Sequence, residues 1–150
     1  MRHRVFTYIT REDQLLILEY VDGRYLQPQI PGGTVEDGER PEQAALREAQ
    51  EETGLSALQV VSCLGSFQRD LTDIGRDETI IAWFFHLQTE ESTPQSWRHF
   101  ECDSSEGAGP IELKVSWVAL DKLPELGGID HAMLAQLRVS LQHSGLGKTP

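Results

Sequence analysis

Cysteine is scarce in this chain: only Cys63 and Cys102 occur among 150 residues. They show no CxxC spacing, so neither a disulfide framework nor a zinc site is expected. Basic residues are also few, 13 against 24 acidic ones, for a net charge of −11. That balance excludes a sequence-independent nucleic-acid binder, which needs a basic face to neutralise phosphates. An anionic substrate remains open, provided divalent cations bridge it to the protein. No apolar run approaches the roughly 20 residues needed to cross a bilayer. The N-terminal "MRHRVFTYIT" lacks an apolar segment followed by a small-residue cleavage site. A cytoplasmic protein with no membrane partner is the expectation. There is no repeat and no low-complexity segment, and 39% hydrophobic with 25% charged content suits one globular domain over 1–150.

What is present reads as alternating strands and helices. "RVFTYIT" (Arg4 to Thr10) and "QLLILEY" (Gln14 to Tyr20) are rich in β-branched, aromatic and leucine residues, as strands are. "DGR" at Asp22 to Arg24 is a turn signal, which predicts that Gln14 to Tyr20 folds back onto "YLQPQI". Pro41 to Thr53 reads as a helix, with proline in its first turn and Gly54 placed to cap its end. Leu58 to Phe67, Thr79 to Leu87 and Ile111 to Leu120 read as further strands, the last alternating through Leu113, Val115 and Trp117. Thr89 to Pro110 reads as a long polar connection. "IDHAMLAQLRVSLQ" places Met133, Leu134, Leu137 and Leu141 at helical spacing. The order predicts an α/β domain, a mixed sheet with two main helices packed on it.

The helix from Pro41 carries Glu48, Glu51 and Glu52 within an arc of roughly 100° at about 100° per residue. Like charges one turn apart are mildly destabilising. An acidic helix face is often just solvated, but the loop before this one gives it another meaning. Gly32 and Gly33 let the backbone approach a ligand closely, and a carbonyl there can join a metal site. Hard divalent cations seek oxygen ligands of this kind. Arg47 can pair with Glu51 one turn on, or orient a neighbouring carboxylate.

From Gly33 the chain runs "GTVEDGERPEQAALREAQEETGL". This resembles the Nudix box of the Nudix (MutT-type) hydrolases. Gly33, Glu39, Arg47, Glu48, Ala49, Glu51, Glu52, Gly54 and Leu55 each occupy the required place. The resemblance implies an α/β/α sandwich and a metal-dependent hydrolase of a diphosphate bond in a nucleoside diphosphate derivative. It further implies that Glu48, Glu51 and Glu52 ligate Mg²⁺ or Mn²⁺, with the Gly32 carbonyl as a further ligand. Glu39 and Arg47 would fix the loop and helix and orient Glu48, with Gly33 and Gly54 structural. Glu48, Glu52, Arg47 and a later glutamate would carry the catalysis. Glu112, before the strand bearing Trp117, resembles that later glutamate and ranks above Glu101 and Glu106.

Substrate motifs are informative by absence. No tyrosine follows Tyr25, and no proline lies between Pro41 and Pro94. The residues that tend to mark dinucleoside-polyphosphate and ADP-ribose hydrolases of this family are therefore missing. So are its coenzyme A and NADH-type signatures. A nucleoside di- or triphosphate is the expected partner, with nucleotide sugars, dinucleoside polyphosphates or a non-catalytic nucleotide-binding role as alternatives. Homodimer formation is expected only by family analogy. A base needs an aromatic wall and phosphates need cations, which makes Phe84, Trp97 and Arg69 the substrate-binding candidates, with Arg76 and Arg98 in reserve. His86, His131 and His143 have no spacing that marks a metal or nucleophile site.

Overall fold

The protein is described from a computed structural model covering residues 1–101 and 110–145. The strands are β1 (His3–Arg11), β2 (Gln14–Tyr20), β3 (Gly32–Thr34), β4 (Gln59–Asp70), β5 (Thr79–Gln88), β6 (Ser96–Glu101) and β7 (Ile111–Ala119). The helices are α1 (Pro41–Thr53) and α2 (Leu134–Gly145). Among the described residues the strands form one seven-stranded sheet in the order β4-β5-β1-β2-β7-β6, with β3 also paired to β1. The β1–β5 pair is parallel and every other strand pair antiparallel, so the sheet is mixed as expected.

Period-two alternation divides the buried residues between two faces. Val5, Ile9, Leu16, Leu18, Phe85, Leu87, Leu113, Val115 and Trp117 pack against Ala44, Ala45 and Ala49 of α1. Tyr8, Leu15, Ile17, Ala82 and Phe84 pack against Leu137 of α2 on the other face. The result is the α/β/α sandwich. Three alanines on one side of α1 let the helix lie close to the sheet, and that brings its acidic edge against β3.

β1 and β2 pair only at their hairpin end, through Thr10↔Leu15 and Arg11↔Gln14. Beyond it they part, and residues 29–34 enter the gap. Gln29 bridges to Leu18, the Thr7 N–H donates to the Pro31 carbonyl at 2.8 Å, and β3 then runs along β1. The returning strand expected to pair with β2 is thus a single bridge, and β3 belongs to β1. The helix expected from Ile129 begins instead at Leu134. Tyr8 explains the delay: its hydroxyl donates to the Asp130 carbonyl and accepts the Met133 N–H, while the Asp130 carboxylate takes the Ile30 N–H. These bonds hold the segment before α2 in turns.

The stretch read as a long polar connection contains β6, which pairs antiparallel with β7. Ser96, Arg98 and Phe100 face outward on this edge strand, so its outer face carries only one apolar residue. Its inner face braces α1. The Trp97 indole N–H donates to the Thr53 carbonyl at 2.9 Å, and His99 Nε2 donates to the Glu51 carbonyl at 2.7 Å. These are C-terminal carbonyls of the helix, which have no partner within it.

Candidate active site

A cleft of about 520 Å³ opens where β3, the acidic edge of α1 and the starts of β1 and β7 meet. Local signals place α1 as the sequence indicates: Pro41 occupies its first turn, and Gly54, at φ 79°, closes its end by donating to the Gln50 carbonyl. Glu48, Glu51 and Glu52 all line the cleft, together with Gly32, Gly33 and Arg47.

Arg47 is the hub. Its Nε and Nη2 take the two Glu39 oxygens at 2.8 and 3.0 Å, and Nη1 donates to Glu48 at 2.8 Å and Glu51 at 3.4 Å. Nη2 also donates to the Thr34 carbonyl at 3.0 Å, which joins the helix to β3. Glu39 accepts the Glu36 N–H as well, and with Arg47 beside it its carboxyl is held below the usual carboxylate range. Arg47 thus ties Glu39, Glu48, Glu51 and the Thr34 carbonyl into one connected set.

Gly33 makes room for Glu48: a Cβ there would overlap the Glu48 carboxylate. That carboxylate can swing away, so Gly33→Ala is expected to cost about 1–2 kcal/mol of stability, in the range of mild overpacking. Turnover should fall further, about 10²-fold, because displacement of a functional group by about 1 Å is that expensive. Thermal melting and steady-state kinetics on one preparation separate the two effects.

Glu52 is only 5% exposed, and its Oε1 accepts the Gly32 N–H at 2.7 Å. Burial raises its carboxyl well above the ordinary value, and the nearby Glu101 and Glu48 charges push the same way. Burial also raises Glu48, against the pull of Arg47. In an extended residue the N–H and C=O point to the same side. Gly32, with its N–H turned to Glu52, therefore also turns its carbonyl away from β1 and towards the helix.

These donors fit a hard divalent cation. They are all oxygens, and Glu52 is a buried carboxylate whose own environment disfavours its charge. Among the described residues no three acidic or imidazole side chains are preassembled around one point. The remaining positions would fall to water and substrate phosphate, as is usual for Mg²⁺.

Glu112 does not join this cleft. Ile111, Leu113, Val115 and Trp117 face α1, so Glu112 faces the other way, where it accepts from Arg98 at 2.8 Å. Glu101 lies opposite Ile111 in the β6–β7 register and lines the cleft with it. Alternation in "SWRHFE" puts Glu101 on the same side as Trp97 and His99, a signal present in the sequence. Glu106 lies outside the described residues.

The three substrate-binding candidates also move. Phe84 is fully buried on the α2 face, stacked with Phe6 and Phe67 at centroid distances of 4.8 and 5.8 Å. Trp97 braces the end of α1. Arg69 is held by Asp73 at 2.7 and 3.0 Å and does not line the cleft. The lining contains Arg2, Arg4, Arg24 and Arg76 instead, with Tyr20 and Tyr25. Tyr25, half-exposed, meets Tyr20 edge-on at 4.9 Å, and the Arg24 guanidinium lies 5.5 Å from the Tyr20 ring. The hairpin expected at "YLQPQI" obscured these residues.

Comparison with known proteins agrees with the fold. The NUDIX domain profile matches residues 1–137. The rat bis(5'-nucleosyl)-tetraphosphatase [asymmetrical] is 28% identical over 149 residues, covering 91% of this chain and 83% of that protein. Among solved structures, a UDP-X diphosphatase superposes with a TM-score of 0.66 at 19% identity, covering 95% of this chain and 64% of that one. A MutT NUDIX hydrolase from Burkholderia pseudomallei gives 0.65 at 21% identity, covering 91% and 97%. Among the described residues no helix is long and apolar enough to cross a membrane.

Proposed function

Since the chain belongs to the NUDIX family of hydrolases acting on phosphorus anhydrides, we propose that it cleaves the diphosphate linkage of a nucleoside di- or triphosphate. Glu48, Glu51, Glu52 and the Gly32 carbonyl would hold the required Mg²⁺ or Mn²⁺. The observation that carries this reading is Glu52, a buried carboxylate at the floor of a cleft also lined by arginines.

A diphosphate repels an anionic nucleophile. The bound cation would neutralise its oxygens and make a coordinated water more acidic. The chain's own residues do the rest. Arg47 fixes Glu48 against Gly33, and Gly32 fixes Glu52, so neither carboxylate has to be ordered when substrate arrives. One of these carboxylates would take the proton from that water. Glu101 replaces Glu112 as the glutamate supplied from outside the box, on the strength of its place in the cleft. Tyr25, against the edge of Tyr20, offers the planar surface for a base that Phe84 and Trp97 do not.

A second reading is favoured by the rat relative: a dinucleoside polyphosphate as substrate. Anion-exchange analysis of products from a panel of nucleoside di- and triphosphates, nucleotide sugars and dinucleoside polyphosphates, with and without Mg²⁺, tests both. A monophosphate plus pyrophosphate from a triphosphate supports the first reading. Turnover confined to dinucleotides moves the assignment to the second. Silence across the panel at high enzyme concentration overturns hydrolysis itself.

A further inference from the structure

The wall of the cleft built by β1 and the loop before β5 is cationic in a chain whose net charge is −11. Arg2 donates to both oxygens of Glu78, at 3.0 and 3.1 Å, and Arg76 approaches the same carboxylate at 3.5 Å. Two guanidinium groups thus share one acid. Arg4, beside them on β1, has a buried Nε without a hydrogen-bond partner among the described residues. Its guanidinium carbon lies 6.0 Å from the Phe6 ring centroid. Its charge acts on Glu52 and Asp130 only through space.

Leaving a buried N–H unsatisfied costs about 1–3 kcal/mol, and native structures rarely keep one without a reason. That Nε is closed to solvent, but the same guanidinium lines the cleft and has no salt bridge among the described residues, so its outer N–H donors are left for an oxygen acceptor from outside. Phosphate suits it, since its oxygens match the planar fork of N–H donors. The carboxylates of α1 repel any anion that enters, so a ligand of high negative charge needs a second neutralising wall. Arg2, Arg4 and Arg76 bring three positive charges to this wall, and among the described residues Glu78 is the one carboxylate in a salt bridge with them.

We propose that Arg4, flanked by Arg2 and Arg76, is a subsite for the non-reacting phosphates of the substrate. It selects nucleosides carrying three or more phosphates over nucleoside diphosphates and nucleotide sugars. The proposal rests on the nucleotide-hydrolase reading above and assigns the length of the phosphate chain within it.

Two measurements on the full chain test it. The first is calorimetric titration with inorganic tripolyphosphate in the absence of metal, which needs no catalysis. Arg4→Ala is expected to weaken binding about tenfold, the loss of one charge-assisted hydrogen bond, and Arg4→Lys to restore part of it. The second is the ratio of kcat/KM for ATP over ADP. It should favour ATP in the unaltered protein and fall about tenfold in Arg4→Ala, chiefly through KM for ATP. If Arg4→Ala does not fold, Arg76→Ala, at an exposed side chain, must lower both readings in the same direction. Tripolyphosphate that fails to bind, or that binds all variants equally, overturns the subsite, as does an unchanged ratio. Binding that depends on Arg4 in a protein that turns over no nucleotide upholds the subsite and removes the hydrolase reading instead.

Discussion

Glu52→Gln is expected to abolish metal-dependent turnover, by on the order of 10³-fold or more, while the protein stays folded. The amide oxygen can still accept the Gly32 N–H that Glu52 accepts at 2.7 Å, so the helix stays tied to β3. What disappears is the charge. Burial raises the Glu52 carboxyl above its value in the unfolded chain, so ionisation there opposes folding. That penalty is full above the raised folded-state value and vanishes below the ordinary carboxylate range. The metal-free variant should therefore be at least as stable as the unaltered protein at pH 8, with any advantage gone at pH 4. Mg²⁺ should raise the Tm of the unaltered protein and leave the variant where it is. A variant that keeps its turnover, or that melts far lower without metal, would contradict the role given to this carboxylate.

Arg47→Lys should separate charge from shape. An ammonium keeps the positive charge but cannot span both oxygens of Glu39, the Glu48 carboxylate and the Thr34 carbonyl as the guanidinium does. The side chain is a quarter exposed, which reduces the penalty below that of a fully buried pair. A loss of about 2 kcal/mol is expected in chemical denaturation. The larger effect should be on kcat, about 10²-fold, because Glu48 loses the group that aims it. KM should move little, since Arg47 is largely engaged by its own neighbours. A fall in KM-type affinity with kcat intact would instead place Arg47 against the substrate phosphates.

The site was legible where its signals are local. Pro41 and Gly54 mark the ends of α1, and the spacing of Glu48, Glu51 and Glu52 fixes their common edge whatever the sheet does. Gly33 and Arg47 were legible from the motif, and the structure adds the contact that requires each. Features that depend on pairing were not legible. Alternation sorts Glu101 and Glu112 onto faces, but that β6 exists and pairs with β7 beside the cleft was not legible, because β6 is an edge strand with a mostly polar outer face. Phe84 lies in an almost wholly apolar strand, covered by helices on both faces, and such a run does not reveal which side is which. Arg2 and Arg4 gave no signal because they precede the motif by some thirty residues. Only the entry of residues 29–34 beside β1 brings them to it.

β1 also sets a condition on how the chain reaches this state. It pairs with β5 in parallel register from His3↔Ile81 to Thr10↔Gln88, with β3 at one end and with β2 at the other. On the ribosome, β1 emerges early, and its longest neighbour follows only after most of the intervening chain. At about 5–20 residues per second that delay is a matter of seconds. For that interval an apolar strand has only β2 and the short β3 as partners. Closing so long a loop comes before the contacts that reward it, which favours slow folding. The acidic helix can form early from its own caps, but its cleft also needs Arg76, Glu101 and Ile111, which emerge later.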